Sequence, residues 1–347
     1  MSRAPLRVAV LGAGTVGREV VRALVDRAPE LTPADGVPLE LVGVAVRDLA
    51  RARVAGLPTT LLTDAPAHLV ANPEIDVIVE LMGGDEPART LIAAALGAGK
   101  AVVTANKHVI AHHGPALEAT ARRTGAALRF EAAVGGGIPV LGPLAMELAG
   151  NRVSAVRGIV NGTTNYILTA MAEDGRDYAE VLAAAQAAGY AEADPRGDVE
   201  GLDAVNKLVI LARLAFGVWL DPAAVATCPV DGPGARRPGI TGIGAGDMAA
   251  AARRGSVIKL LAEARRRADG SIEAAVLPAA LPSDSPLGRT GGVLNRIEID
   301  AEPVGTVAFS GPGAGGPATA SAVLGDLIAV ARERGSTWAG LPVAGPA

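Results

Sequence analysis

The segment Arg7-Val8-Ala9-Val10-Leu11-Gly12-Ala13-Gly14-Thr15-Val16-Gly17 decides the fold of the first part of this chain. Its apolar start predicts a buried strand, and the glycines that follow fit the pattern G-x-G-x-x-G. Residues 18–25 then show the amphipathic pattern of a helix. In this strand–turn–helix context the motif indicates a dinucleotide-binding turn. The alternative is a tight strand-to-helix turn that binds no ligand.

Each glycine of the motif has a separate predicted role. Gly12 makes the tight turn, Gly14 lets the backbone approach a pyrophosphate, and Gly17 lets the helix pack closely on the strand. The helix N-terminus, which includes Thr15 and Val16, attracts the phosphates through its free amide groups. We therefore predict that these five residues bind the cofactor.

Strands and helices alternate along the chain up to about residue 130. Apolar strands are predicted at 39–46, 76–81, 101–104 and 128–130, with helices at 87–96 and 115–123 between them. This alternation predicts an α/β fold with a Rossmann-like, doubly wound parallel sheet. A ligand of such a sheet lies beyond the carboxyl ends of the strands, so the loops at those ends are the place to search for a site.

The loop after the second strand bears on the choice of cofactor. It begins with Arg47 and Asp48, and Arg51 and Arg53 follow closely. An acid at this place would hold the ribose 2′-hydroxyl of NAD, whereas an arginine can bind the 2′-phosphate of NADP. Arg47 favours NADP, while Asp48 keeps NAD open. The alternative for these charges is a solvated helix start.

The pattern changes after about residue 131. Strands are predicted at 154–160, 272–281, 293–299 and 304–310, and helices at 178–188 and 202–216, which together indicate an α+β domain. A closing helix at 318–332 could pack back on the first domain. We predict a dinucleotide-binding domain at 1–135, completed by a C-terminal helical segment at 316–347. A substrate-binding and dimerisation domain is predicted at 136–315.

The composition excludes several classes of function. A net charge of −4 and an aromatic content of 2% argue against nucleic acid as a partner. The single cysteine excludes an internal disulfide framework and a thiolate zinc cluster. No apolar run is long enough to span a membrane, and the first strand begins too early to leave room for a signal peptide. These features predict a cytoplasmic protein with a small-molecule substrate.

Residues 189–207 form a polar stretch of the chain. Its acids include Glu192, Asp194, Asp198 and Asp203, and it ends at Lys207. Asp203 and Lys207 are four residues apart and share one face of a helix that continues as an apolar run. Charges at the start of a buried helix need a reason, so we predict a polar site here. For Asp203 the alternative is a role in capping the helix, and for a lysine a surface charge.

Several of these motifs together resemble the homoserine dehydrogenase family. The resemblance rests on 105–107 (Ala-Asn-Lys), Glu131 with 134–139, 161–168 (beginning Asn-Gly-Thr-Thr), 189–207 and 311–315, in the family order over nearly the whole chain. It implies an oxidoreductase that interconverts L-homoserine and L-aspartate 4-semialdehyde with NAD(P). This reaction belongs to the branch from aspartate to threonine, methionine and isoleucine.

The resemblance also assigns roles to residues. Lys207 is the proton donor and acceptor, and Lys107 polarises the reacting oxygen near the nicotinamide. Such a reaction needs a hydride donor and one acid–base group for the oxygen. Glu192 and Asp203 would bind the substrate ammonium group, and Asp198 would orient Lys207. The remaining substrate-binding residues are predicted to be Gly162, Thr163, Thr164 and Tyr190, although the turn at 161–164 could be simple helix capping.

Two further sites follow from the resemblance. Gly83, Lys107 and Gly311 join Arg47 and the glycine-rich turn as cofactor-binding residues. Glu131, with the carbonyls of Val134, Gly136 and Ile138, corresponds to a stretch that holds Na⁺ in the family, a structural site of hard oxygen ligands. The resemblance further implies a homodimer formed by the second domain. The chain ends soon after its closing helix, so we expect a short form without the C-terminal regulatory domain.

Two alternative functions stay open at the level of sequence. The first is another two-domain Rossmann oxidoreductase of amino-acid metabolism, such as an aspartate-semialdehyde dehydrogenase, which would need an activated cysteine. Cys228 is the only cysteine, and no base motif lies beside it. The second is a protein that senses NAD(P) without turnover, which would have no use for an acid–base lysine.

Overall fold

The computed structural model describes residues 4–338 and 340–345. The chain forms two compact units. The first unit contains the residues up to Ala145 together with Ala314–Leu341, and the second contains Met146–Gly313 and the residues from Pro342 onward. No helix in the described ranges has the length and apolar character needed to cross a membrane.

Eleven strands are found in the described residues. They are β1 (Leu6–Leu11), β2 (Leu39–Ala45), β3 (Leu62–Thr63), β4 (Val77–Glu80), β5 (Ala101–Thr104), β6 (Leu128–Arg129), β7 (Arg152–Ile159), β8 (Ser256–Arg266), β9 (Ile272–Pro282), β10 (Leu294–Glu302) and β11 (Gly305–Pro312).

Thirteen α-helices are found in the same residues. They are α1 (Thr15–Asp26), α2 (Ala28–Leu31), α3 (Leu49–Val54), α4 (Pro66–Ala71), α5 (Ala88–Gly97), α6 (Lys107–Thr124), α7 (Leu141–Ala145), α8 (Gly162–Asp174), α9 (Tyr178–Ala187), α10 (Arg196–Val199), α11 (Leu202–Phe216), α12 (Ala245–Ala252) and α13 (Gly316–Ala331).

The first unit is built on a six-stranded parallel sheet. Its strand order is β3-β2-β1-β4-β5-β6, which is the doubly wound order with a switch point between β1 and β4. Helices α1 and α13 contribute Val20, Leu24, Val323 and Leu327 to the core that the sheet buries. The fold class predicted from the sequence is confirmed.

Close backbone packing explains two of the glycines between β1 and α1. Gly12 has a φ of +98°, and a Cβ there would lie 2.7 Å from the Leu81 carbonyl oxygen. A Cβ at Gly17 would lie 2.0 Å from the Gly12 carbonyl oxygen. Both positions therefore exclude any side chain, and the carboxyl end of β1 meets the N-terminus of α1 at short range.

The second unit is built on a five-stranded antiparallel sheet with the order β11-β10-β7-β8-β9. Along β8, Ile258, Leu260, Ala262 and Ala264 are buried with the period of two that a half-covered strand shows. Helix α11 packs on β7, β8 and β9 and is buried along most of its length. The sequence had not predicted β8, although it had predicted α11 at the observed residues.

The boundary of the first unit lies later than the sequence placed it. The sequence ended the dinucleotide-binding domain at residue 135, whereas the first compact unit continues to Ala145. The Glu131 carboxylate accepts hydrogen bonds from the amides of Val140, Leu141 and Gly142, at 2.7 to 2.8 Å. These bonds hold the start of α7 against the end of the parallel sheet, so residues 136–145 pack with the first unit.

The second unit buries a lysine, Lys259, in its core. The Lys259 side chain in β8 is 4% exposed, and its Nζ donates hydrogen bonds to Asn165 Oδ1 at 2.9 Å and to Thr169 Oγ1 at 3.1 Å on α8. Burial lowers the pKa of Lys259 to about 8, while the charge of Glu173 acts in the opposite direction. The folded protein therefore binds this proton less tightly than the unfolded chain does.

We expect the free energy of unfolding to rise as the pH rises from about 8 towards 10.5, the ordinary pKa of lysine. In that range the unfolded chain keeps the proton on Lys259 and the folded chain has lost it. Lys259→Met removes the titrating group, and Lys259→Arg keeps the charge throughout. Urea unfolding at several pH values should show this rise in the native chain and a smaller one in both variants. Parallel pH profiles for all three proteins would contradict the assignment.

Candidate functional site

A cavity of about 790 Å³ lies in the first unit at the carboxyl ends of the parallel strands. The loops after β1, β2 and β4 line it, and they contribute residues 12–15, 45–48 and 81–83. This is the place where a doubly wound sheet binds its ligand. Gly12, Gly14, Thr15, Arg47 and Gly83 are thus brought together around one cavity.

The cavity fits a phosphate-bearing ligand. A Cβ added to Gly14 would meet no atom within 4 Å, so the absence of a side chain there leaves open space. Gly14 is also the N-cap of α1 and supplies no side-chain acceptor for the first amides of the helix. A helix N-terminus with free amides and adjacent space is a binding site for an anion such as a pyrophosphate.

Three arginines line this cavity. Arg47, Arg51 and Arg18 are all among the lining residues. The carboxylate of Asp48 accepts a hydrogen bond from the amide of Arg51 at 2.9 Å and caps α3. The Asp48 carboxylate, which kept NAD open in the sequence, is therefore engaged in capping α3 through Oδ1. Asp64 and Glu86 also line the cavity, so its wall carries acids as well as arginines.

A buried carboxylate that was not predicted from the sequence, that of Glu80, holds one of the loops that line the cavity. Glu80, at the end of β4, is 0% exposed and accepts hydrogen bonds from the amides of Met82 and Gly83 and from Thr104 Oγ1. Burial raises the pKa of Glu80, while these hydrogen bonds oppose the rise. Glu80 therefore fixes the loop after β4 and ties it to the end of β5.

The same network reaches Lys107. Thr104 Oγ1 accepts a hydrogen bond from the amide of Asn106, which is the N-cap of α6. Asn106 Oδ1 accepts from the amide of Val109, and its Nδ2 donates to the Gly84 carbonyl at 2.8 Å. Lys107 is the first residue of α6 and is partly buried. Its backbone is thus fixed by the residues that shape the cavity.

The side chain of Glu131, which was predicted to bind Na⁺ together with the carbonyls of Val134, Gly136 and Ile138, binds backbone amides in the structure. Its carboxylate accepts the three amides at the start of α7, and its own amide donates to Asp326 Oδ2 at 2.8 Å. Burial and the charge of Asp326 raise the pKa of Glu131, while the amide hydrogen bonds lower it. Arg129 completes the group through its bond to Asp326 Oδ1 at 2.7 Å.

The second unit holds Lys207 in a buried cluster. Lys207 Nζ donates to the Val160 carbonyl at 2.6 Å and to Asp203 Oδ2 at 2.7 Å. The lysine and aspartate side chains are 10% and 12% exposed. Val160 and Asp203 are the acceptors that the described residues supply, so two of the three N–H bonds are directed by the protein. The third is available to a ligand.

Asn161 joins this cluster to a second carboxylate. Its Nδ2 donates to Asp203 Oδ2 at 2.8 Å and to Asp198 Oδ1 at 2.7 Å. Its Oδ1 accepts from the amide of Thr164 at 2.8 Å, which caps α8. Asp198 was expected to orient Lys207, and the bonds in the structure connect the two through Asn161 and Asp203. From the sequence, Asn161 was part of a family motif and of a turn at the start of a helix, and no bonds to Asp198 or Asp203 were predicted for it.

The other predicted substrate residues lie around the start of α8. Thr163 Oγ1 donates to the Tyr190 carbonyl at 2.8 Å, and the rings of Tyr166 and Tyr190 are 4.7 Å apart. These contacts dock the loop after α9 on α8. Gly162 packs against the Val293 carbonyl, where a Cβ would approach to 3.0 Å.

Two predicted residues lie apart from these clusters. Glu192 is exposed on the loop after α9, where its carbonyl accepts from Gln186 Nε2 at 3.0 Å. Gly311 lies in β11 of the second unit, opposite Asn295, whereas the cavity described above is lined by the first unit. Lys107 and Lys207 likewise belong to different units.

The two residues that were not predicted, Glu80 and Asn161, differ in how much the sequence reveals about them. A glutamate at the end of an apolar run, as at Glu80, is costly to bury unless amides or hydroxyls bind it, so its position was informative. Asn161 begins a helix after a strand end, which indicates a cap but does not reveal what the other half of the amide binds.

Comparison with known proteins identifies both units. The family model for the homoserine dehydrogenase NAD-binding domain matches residues 12–131, and the model for homoserine dehydrogenase matches residues 139–328. The homoserine dehydrogenase of Corynebacterium glutamicum is 44% identical over 97% of this chain, which covers 76% of that relative. The enzyme of Bacillus subtilis is 41% identical over 94% of this chain, which covers 73% of that relative.

Solved structures agree with these sequence matches. The homoserine dehydrogenase of Thiobacillus denitrificans superposes with a TM-score of 0.91 at 38% identity. The superposition covers 100% of this chain and 80% of the chain of that enzyme. A hyperthermophilic archaeal homoserine dehydrogenase in complex with NADPH has a TM-score of 0.77 at 28% identity, covering 95% of this chain and 98% of its own. With both family models matched in order and these identities over nearly the full length, this chain belongs to the homoserine dehydrogenase family.

Proposed function

We propose that this chain catalyses the reversible, NAD(P)-dependent interconversion of L-homoserine and L-aspartate 4-semialdehyde, within the branch from aspartate to threonine, methionine and isoleucine. Family membership supports the reaction class. The observation that carries the proposal is the buried ammonium of Lys207, paired with Asp203 and with one N–H left for a ligand. A buried lysine paired with a carboxylate is suited to general acid–base chemistry.

Lys207 is the acid–base group of the proposed reaction. When bound, the nicotinamide cofactor supplies or accepts the hydride at the reacting carbon. In reduction, Lys207 Nζ gives a proton to the aldehyde oxygen as the hydride arrives, and in oxidation the neutral amine takes the hydroxyl proton. Asp203 and the Val160 carbonyl hold Nζ so that its remaining N–H points in one direction.

Lys107 and the acids have supporting roles in this proposal. Lys107, at the rigid start of α6, polarises the reacting oxygen. Asp203 and Glu192 bind the substrate ammonium, and the start of α8 at Gly162, Thr163 and Thr164 receives the substrate carboxylate. The docking of Tyr190 on Thr163 supports this arrangement because it fixes the loop that carries Glu192.

The cofactor is proposed to bind in the cavity of the first unit. Gly12 and Gly14 with the N-terminus of α1 hold the pyrophosphate, and the loop with Gly83 lines the nicotinamide half. NADP is favoured over NAD because Arg47 and Arg51 line the wall while Asp48 caps α3. A 2′-phosphate would pair with these guanidinium groups.

The sodium site is proposed to use backbone oxygens. The Glu131 carboxylate already accepts three amides, so a Na⁺ in this turn would take the main-chain carbonyls of Glu131, Val134, Gly136 and Ile138 as its ligands. Carbonyl oxygens alone are weak, hard ligands, which suits a monovalent structural ion. The cytoplasmic location stays a prediction from the sequence.

A homodimer is proposed through the sheet of the second unit. Leu261 of β8 and Leu277 of β9 lie directly opposite each other, and both alternate with the core positions. They are partly exposed, as are Val257 and Ala279 on the same side, which also carries the buried Lys259. An apolar strip on a sheet favours contact with another protein. A second copy of this chain would cover the strip on both chains at once.

The assignment of Lys207 predicts a large loss of turnover on its replacement. Lys207→Met removes the proton, and Lys207→Arg keeps the charge but cannot release a proton. Both should lower kcat for L-homoserine oxidation by about a hundredfold or more, read as NADPH formation at 340 nm. Cofactor affinity, measured by NADPH fluorescence, should stay near the native value.

A control variant separates this proposal from the thioester mechanism. Cys228 is exposed, and its polar contact within the described residues is with the neighbouring Pro229 carbonyl. Cys228→Ser should therefore retain native activity. Loss of turnover in Cys228→Ser with full turnover in Lys207→Met would reverse the assignment. Tight NADPH binding without any turnover by the native chain would instead favour a sensor.

The cofactor proposal predicts that replacement of Arg47 weakens the binding of NADPH more than that of NADH. Arg47→Ala should weaken NADPH binding by about tenfold or more, because a charge-assisted hydrogen bond is worth about 1.5–3 kcal/mol. NADH binding should change little. Arg53→Ala is the matched control, since Arg53 is an exposed arginine on α3 that does not line the cavity. Equal effects of Arg47→Ala on both cofactors would contradict a role in reading the 2′-phosphate.

The dimer proposal predicts a change in mass. Light scattering on the native chain should give twice the chain mass, and Leu261→Arg with Leu277→Arg should give the monomer because buried charges would face each other across the interface. Val54→Arg is the control, since Val54 is 90% exposed in the first unit. A native monomer, or a double variant that stays dimeric, would contradict this interface.

A further inference from the structure

Asn161 makes more polar contacts in the Lys207 cluster than its role as a helix cap requires. It is 5% exposed, and its Nδ2 bridges Asp198 and Asp203 at 2.7 and 2.8 Å. Its Oδ1 accepts both the amide and the hydroxyl of Thr164. All the hydrogen-bonding groups of the side-chain amide are therefore used.

The surroundings fix the orientation of this amide. If the group were rotated by 180°, its oxygen would face two carboxylates and its NH₂ would face the backbone N–H of Thr164, so each contact would become repulsive. The amide therefore has one stable orientation. Both of its N–H bonds point towards the acids, and its oxygen points towards α8.

The bridge also offsets the repulsion between the Asp198 and Asp203 carboxylates. Asp198 and Asp203 approach the same nitrogen, so their carboxylates lie close together in a partly buried region. Two adjacent carboxylates repel each other and tend to turn apart or take up a proton. Two N–H donors on a single neutral group hold both acids in place without adding a charge that would compete with Lys207 for Asp203.

The chain connects this bridge directly to the catalytic lysine. The carbonyl of Val160, the residue before Asn161, accepts one bond from Lys207 Nζ. The same oxygen of Asp203, Oδ2, accepts from both Asn161 Nδ2 and Lys207 Nζ. Consecutive residues at the end of β7 thus position the two acceptors that direct the ammonium group.

We propose that Asn161 is a positioning residue, which holds Asp203 and Asp198 in place and thereby sets the direction of the Lys207 ammonium group. The inference rests on the proposed acid–base role of Lys207. In this proposal Asn161 orients the proton donor and does not itself transfer a proton. Asp198 is one of the two acids that the Asn161 amide bridges. A cap on α8 is only one half of its function.

Two substitutions separate the bridge from the cap. Serine and aspartate are both strong N-cap residues, so Asn161→Ser and Asn161→Asp keep the hydrogen bond to Thr164. Serine has at most one donor for the two acids, and aspartate adds a third carboxylate among them. We expect kcat for L-homoserine oxidation to fall by about a hundredfold in Asn161→Ser, as for a misplaced catalytic group, and further in Asn161→Asp.

The same variants should keep their fold and their cofactor site. We expect the melting temperature of Asn161→Ser and the NADPH dissociation constant of both variants to stay near the native values, with a smaller change in the KM for L-homoserine than in kcat. Asp177→Asn is the matched control because Asp177 is an exposed N-cap, on α9, outside the cluster. Native kcat in both Asn161 variants would show that capping is the whole role and would overturn the proposal.

An exchange of side chains tests the bridge directly. The double variant Asn161→Asp with Asp198→Asn restores one amide and two carboxylates to the group, although with one contact reversed. We expect its kcat to exceed that of Asn161→Asp by about tenfold or more, because contacting residues are coupled. A double variant no better than Asn161→Asp alone would overturn the proposal.

Failure of the proposed reaction would remain distinguishable. A native chain that binds NADPH and does not oxidise L-homoserine would overturn the proposed function. A crystal structure of Asn161→Ser would still test the positioning, since we expect the Asp203 carboxylate to move away from Lys207 Nζ. An unchanged contact between Asp203 and Lys207 in that structure would overturn the inference.

Discussion

A buried ammonium group must be held by acceptors, and this requirement organises the second unit. Lys207 lies on α11 among apolar neighbours, where an unpaired charge would destabilise the fold. A carboxylate one turn earlier and a carbonyl from the end of β7 bind it. Because these acceptors come from separate elements, the packing of α11 on the sheet and the chemistry of Lys207 depend on the same contacts.

In the first unit the candidate site is shaped mainly by the backbone rather than by side chains. Gly12 and Gly17 allow the strand and helix to approach closely, and Gly14 leaves space at the helix N-terminus. Glu80 then fixes the adjoining loop by accepting its amides. A phosphate group can be bound by amides and a helix terminus alone, whereas proton transfer needs a titratable side chain in a defined direction. We propose that the two units divide these tasks.

Much of this could be predicted from the sequence because the signals were local. The strand–turn–helix at the N-terminus and the helix at 202–216 were found at or near their observed residues, since apolar periodicity and glycine spacing determine them. Strand β8 was missed because Ala262, Glu263 and Arg265 favour helix, and tertiary packing overrides that preference. The bridge at Asn161 was missed because the residues it joins, 198 and 203, lie far along the chain.

The central claim is that Lys207 transfers the proton, and chemical rescue tests it most directly. Lys207→Ala would leave space at the end of the cluster, and small primary amines such as methylamine or ethylamine can occupy such a space. We predict that added amine restores L-homoserine oxidation in this variant in a saturable way, with a rate that depends on the pKa of the amine. No recovery at any amine concentration, with NADPH still bound at native affinity, would contradict the assignment.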